Sequence, residues 1–163
     1  MRNLAWLFLA LPFCLCAQKV HNEFDEATDF TQYKTFLIRE GQLNSKNPAL
    51  NNDLVRKKID AELRRRLTER GLTEVISKAD LNVRYSLGAA NHREVDVYPS
   101  GWGARRYVIH YTEGTMIIDL RDAKRRELVW RAIVTEDKDN GGKVADHLGD
   151  MVKKAIEKYP PHK

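Results

Sequence analysis

The stretch that most constrains the fold is "GTMIIDLRDAKRRELVWRA", residues 114–132. Met116, Ile118 and Leu120 fall on one side of an extended chain, and Ile117, Asp119 and Arg121 on the other, because strand side chains alternate faces. Leu128, Trp130, Ala132 and Val134 repeat the apolar face after the polar reversal 122–127. This is the pattern of two antiparallel strands joined by a turn, with one face buried. Asp122 is read as a turn residue whose side chain bonds the local backbone. Asp119 is read as part of the solvated face, paired across the strands with Arg131. Trp130 falls on the core side. Asp119 and Asp122 are three apart on a strand, so they point to opposite faces and form no carboxylate dyad.

The neighbouring segments complete an α+β pattern. Residues 19–25, with Val20, Asn22 and Phe24 alternating, and "YKTFLI" (33–38) have strand character, and Asp29 caps a short helical turn between them. The polar run 39–52 reads as a connecting loop broken by Gly41 and Pro48. Asn52 and Asp53 cap a helix in which Val55, Ile59, Leu63 and Leu67 recur every fourth position, stopped at Gly71. "ADLNVRYSLGA" (79–89) alternates Leu81, Val83, Tyr85 and Leu87. The glycine- and proline-bearing stretch 90–104 reads as a loop, and "RYVIHYT" (106–112) as a strand turning at Glu113 and Gly114. A Gly141-Gly142 linker leads to a last helix at 143–159, with Val144, Leu148, Met151, Val152, Ala155 and Ile156 on one side and Pro160 and Pro161 behind it. The predicted architecture is a single α+β domain over residues 18–163, a mainly antiparallel sheet with two amphipathic helices packed on one face. A chain of 163 residues that is 42% hydrophobic can bury such a core.

The first 17 residues, "MRNLAWLFLALPFCLCA", differ in kind. Arg2 precedes an apolar run that is short for a membrane span and ends in small residues, which is the pattern of a signal peptide cut after Ala17. The expected location is the periplasm or the outer envelope, with no transmembrane helix in the mature chain. Both cysteines lie in this segment, so the mature domain has neither a disulfide nor a thiol nucleophile. The alternative is lipidation at Cys16, although Phe13 and Leu15 stand where lipoprotein processing favours a small residue.

Chemistry-bearing motifs are sparse. The five histidines (His21, His92, His110, His147 and His162) have no metal-binding spacing, so no metal and no cofactor are expected. There is no P-loop, no dinucleotide fingerprint and no nucleophile elbow. The formal net charge is +5, with both signs interleaved, which fits a solvated surface better than a nucleic-acid footprint. The triplets Arg64 to Arg66 and Lys124 to Arg126 offer a second possibility, attraction to anionic lipid or envelope polymer. Trp102, in "GWG", either presents a ring for binding or covers a sheet edge. With Tyr98, Arg105 and Arg106 it forms the candidate contact surface for an unidentified envelope protein or anionic envelope component.

"DFTQYKTFLI", the "NP" before a helix ending "RGL", "ADLNVRYSLG", "GWG", the 114–132 hairpin and "AIEKYPP" together resemble the bacterial envelope family catalogued as domain of unknown function 4136. The resemblance runs over most of residues 20–161. It implies an exported protein, frequently a lipoprotein, with no established reaction and no catalytic residues to carry over. Two functional expectations stand: a binding module without catalysis, or a hydrolase or transferase whose site assembles only in the fold, from Glu113, Asp119 and His110.

Overall fold

The alternation at 114–132 becomes two eight-residue strands, β8 (Thr115–Asp122) and β9 (Leu128–Thr135), paired antiparallel with Ile118 opposite Ala132 and Leu120 opposite Trp130. The structure is a computed structural model, and it describes residues 19–39, 41–45, 47–88, 94–98, 105–109, 114–136 and 141–161. Gly114 enters β8 at φ +87°, where a side chain would be strained and where a Cβ would press on the Glu136 carbonyl at 3.2 Å. At the far end the Asp122 carboxylate accepts from the Lys124 and Arg125 amides at 2.9 and 2.7 Å, closing the turn as its sequence indicates.

Around this hairpin the sheet takes the order β1-β9-β8-β5-β2-β4, with β3 also paired to β5. Its other strands are β1 (Lys19–Phe24), β2 (Thr35–Ile38), β3 (Gln42–Asn44), β4 (Thr73–Glu74) and β5 (Leu81–Gly88). The long pairings β1–β9, β9–β8 and β8–β5 are antiparallel; the short ones of β2 with β4, and of β2 and β3 with β5, are parallel. The sheet is therefore mostly antiparallel but mixed. The stretch 39–52, expected to be only a loop, contains β3, three residues held by parallel pairing to β5. The chain reaches β3 by passing over the Tyr85 ring at Gly41, where a Cβ would lie 2.0 Å from a ring carbon and could not be accommodated.

Two helices cover one face. α1 (Asp53–Glu69) starts where the Asn52 side chain accepts from the Leu54 and Val55 amides, both at 3.0 Å. It buries Val55, Ile59, Leu63 and Leu67, the predicted stripe. α2 (Gly141–Ile156) takes Gly141 and Gly142 into its first turn instead of leaving them as a linker, and it ends three residues before the predicted boundary. Leu148, Met151, Val152 and Ala155 of α2 join Ile59 and Leu63 of α1, Leu81 and Val83 of β5, Met116 and Ile118 of β8, and Trp130 of β9 in one core. Burial of that shared face is the main favourable term holding the layers together.

Residues 94–98 depart from expectation. Where sequence reading places a loop, β6 (Glu94–Tyr98) pairs antiparallel with β7 (Arg105–Ile109) in a two-stranded sheet of its own. The expected strand at 106–112 corresponds to β7 over residues 106–109, and 110–112 lie outside the described residues.

Candidate functional site

Of the four expected contact residues, Tyr98 and Arg105 stand directly opposite each other at the end of the β6–β7 ladder, and Arg106 lies opposite Val97. The hairpin register thus brings these three to one end. Trp102 lies outside the described residues, as do His110, Glu113 and Cys16.

Asp119 is described, and its setting corrects the sequence reading. It does pair with Arg131 as expected, in a two-pronged contact with Nε and Nη2 each 2.6 Å from a carboxylate oxygen. That pair is not on a solvated face: the Arg131 side chain is 5% exposed and that of Asp119 13%. Strand register places the pair on the face opposite the helices, in a row that runs Glu23, Arg131, Asp119, Arg84 across β1, β9, β8 and β5. An Asp held by both arms of a guanidinium is a poor general base, because the lone pairs that would take a proton are already occupied.

The densest polar cluster lies at the turn end of the hairpin. Asp122 accepts from the Tyr33 hydroxyl at 3.0 Å and from Arg125 Nε at 3.1 Å, in addition to its two turn amides. Arg125 reaches on to the Thr28 hydroxyl at 3.2 Å, and Thr28 donates to Asp25 at 2.6 Å. Burial raises the Asp122 carboxyl pKa, but the hydrogen bonds from Arg125, Tyr33 and Lys124 outweigh it, so the group sits below the ordinary carboxylate range. Burial pushes the Tyr33 phenol up. Asp80 plays a similar part between β2 and β5, accepting from the Lys34 and Thr35 amides at 3.0 and 2.9 Å and from the Thr35 hydroxyl at 2.8 Å. The Lys34 amide and Thr35 hydroxyl chiefly hold its pKa down.

These two acids set an acid limit on the fold. A carboxyl whose folded pKa lies below its unfolded value stabilises the protein above the unfolded value, and that contribution is lost as pH falls through the folded one. Stability should therefore decline from the ordinary 3.8 downward. Melting temperatures measured through this range should fall less steeply for Asp122→Asn than for the wild type; equal slopes would remove Asp122 from the account.

The arginine triplet in α1 is not a free cationic patch. Arg64 meets Glu74 at 2.5 Å; Arg65 meets Glu62 at 2.5 Å and Glu69 at 3.3 Å; Arg66 meets Glu62 at 2.7 Å and Glu69 at 3.1 Å. Local neutralisation weakens the anionic-polymer possibility at this place. In the second triplet Arg125 is likewise paired, with Asp122 and Glu127. A shallow surface depression is lined by Arg64, Glu74, Val75, Ile76 and Ser77, with Ile76 almost wholly exposed.

His147 of α2 contacts the buried Glu136 just beyond β9, and His21 contacts Glu23 within β1 at 3.2 Å. Among the described residues no three His, Cys, Asp or Glu side chains gather as metal ligands. Sequence reading missed the links from Tyr33 to Asp122 and from His147 to Glu136. The first joins residues 89 apart, and no local spacing signals it.

Fold and polar network define an α+β domain, one mixed sheet covered on one face by two helices, whose buried ions hold strands and turns together. No helix among the described residues is long and apolar enough to cross a membrane. The chain belongs to the family described as Domain of unknown function (DUF4136), whose model matches residues 20–161. No curated protein sequence matches it.

Among solved structures, the fold is similar to a PelC dodecamer subunit from Paraburkholderia phytofirmans, at 10% identity and a TM-score of 0.55, covering 90% of this chain and 100% of that one. A PDZ domain protein from Parabacteroides distasonis gives 18% identity and a TM-score of 0.49, covering 90% of this chain and 37% of that one. A neuraminyllactose-binding hemagglutinin homolog from Helicobacter pylori gives 12% and 0.46, covering 80% and 84%. At 10% identity the likeness to the PelC subunit is one of fold.

Proposed function

We propose that this is an exported cell-envelope protein that works by binding a partner, with the β6–β7 hairpin as its contact element. The observation that carries this reading is that β6 and β7 pair with each other and, among the described residues, with no strand of the main sheet. A lone two-stranded hairpin has little stability of its own in water and gains from a surface to lie against. Tyr98, Arg105 and Arg106 belong to this element, and Trp102 falls in the six residues between its strands. Aromatic and arginine side chains are the types that most often anchor interfaces.

The rival reading, a hydrolase or transferase, loses one of its three expected groups, since Asp119 is committed to Arg131. Export rests on the leader pattern of residues 1–17, which also sets the first expected result. Intact mass of the protein recovered from the envelope should correspond to a chain starting at Gln18. An acylated cysteine at the N-terminus would replace the soluble reading with an anchored one.

Binding is tested with Trp102→Ala. Thermal unfolding should stay within about 0.5 kcal/mol of wild type, the usual range for a surface substitution. Recovery of a partner by affinity capture from the native envelope should fall markedly on the same variant. Lost stability with retained capture would make Trp102 a cover over the sheet and end the binding assignment for this hairpin.

A further inference from the structure

We propose that β1 is a self-association edge, through which two copies of the chain pair antiparallel about a two-fold axis at Asn22. This goes beyond the binding reading, because the occupant is a second copy and the surface is a different one.

β1 ends the strand order, and among the described residues only β9 pairs with it. The phase of its hydrogen bonds is fixed. The Asp25 amide donates to the Val129 carbonyl at 3.0 Å, one residue on from the register pair Phe24 and Trp130. In an antiparallel ladder alternate residues turn their peptide groups to the same neighbour. Lys19, His21 and Glu23 therefore bond β9, and the N–H and C=O groups of Val20, Asn22 and Phe24 point outward from the edge. The opposite sheet edge, β4, is two residues long and offers little template.

Only registers that match outward-pointing residues with each other can form. Centring the axis on Asn22 places Asn22 opposite the partner's Asn22, and Val20 opposite the partner's Phe24. His21 then falls opposite the partner's Glu23. All three matches are complementary. Val20 and Phe24 are partly buried apolar side chains packed against the core, left unfinished at the sheet edge, and each would gain an apolar cross-strand neighbour. His21 and Glu23 carry side chains 67% and 47% exposed on the other face, already within 3.2 Å inside one strand. The pairing sets each imidazole beside a second carboxylate. The ladder through residues 20, 22 and 24 makes six main-chain hydrogen bonds, and an isologous contact of this kind closes at two copies.

The test uses the exported, purified protein. Sedimentation velocity at tens of micromolar should show a dimer that dissociates on dilution. Asn22→Pro removes an outward N–H that β9 does not use, so the variant should remain folded by circular dichroism and sediment as a monomer. Amide exchange on the wild type supplies a measurement that does not depend on the variant folding. The amides of Val20, Asn22 and Phe24 should slow as concentration rises, while those of His21 and Glu23 stay protected throughout. A monomer at all concentrations, concentration-independent exchange at Val20, Asn22 and Phe24, or a larger assembly indifferent to Asn22→Pro would each overturn the proposal. Because no envelope partner is present in these measurements, their failure leaves the hairpin reading untouched, and the converse holds as well.

Discussion

Replacing Trp130 with alanine should destabilise the domain by about 3–5 kcal/mol, the usual cost of emptying a buried aromatic site. The side chain is fully buried near the start of β9. Its ring packs edge-to-face on Tyr159 with centroids 5.7 Å apart, and Tyr159 in turn meets Phe30 at 5.9 Å. Removing the indole thus opens a hole between the sheet and the segment that follows α2, and it takes a favourable aromatic contact with it. The indole N–H finds no hydrogen-bond partner among the described residues, so Trp130 is there for volume and shape. Trp130→Phe should accordingly cost clearly less than Trp130→Ala, since it keeps a ring against Tyr159 and relieves a buried donor. Chemical denaturation checks both variants. An alanine variant with a near-wild-type midpoint would mean that the aromatic cluster is not the keystone of this end of the core.

The parts of the fold legible in the sequence are those in which one period runs for several turns or pleats. The 114–132 hairpin repeats three apolar positions on each strand, the α1 stripe from Val55 to Leu67 and the Leu81 to Leu87 alternation four each, always at one spacing, and each forms where expected. β3 was illegible because Gln42, Leu43 and Asn44 have no strand pattern of their own; parallel pairing to β5 makes them a strand. β6 carried its signal in the alternating Val95 and Val97, but Pro99, Gly101 and Gly103 close behind argued for irregular backbone. The polar network was visible only in its local half. The turn role of Asp122 follows from its neighbours in sequence, whereas its bond from Tyr33 depends on how β2 and β8 are brought together. For the candidate contact surface the sequence supplied residue types, and the β6–β7 register supplied the adjacency of Tyr98 and Arg105.

Breaking the Asp119–Arg131 pair should also cost about 3–5 kcal/mol, because removing one partner takes the two-pronged contact from an ion that solvent barely reaches. Two strands present these groups directly opposite each other, so the geometry is fixed by backbone register and little side-chain entropy is spent in holding it. Sequence reading found the pair but assigned it to solvent, on the rule that charged side chains lie outside. That error matters to function. An exposed, unengaged Asp119 would be available as a catalytic acid or base; a half-buried one gripped at 2.6 Å by both arms of Arg131 is a structural ion. The two roles predict different results for Asp119→Leu, Arg131→Met and the double variant. If the pair is structural, each single variant loses several kcal/mol, and the double variant recovers much of that loss, because two apolar side chains can fill the site without a buried charge. If Asp119 were a catalytic carboxylate with a merely incidental neighbour, the two losses would simply add. Urea midpoints for the three variants decide between these outcomes, and additivity would return Asp119 to the enzyme hypothesis.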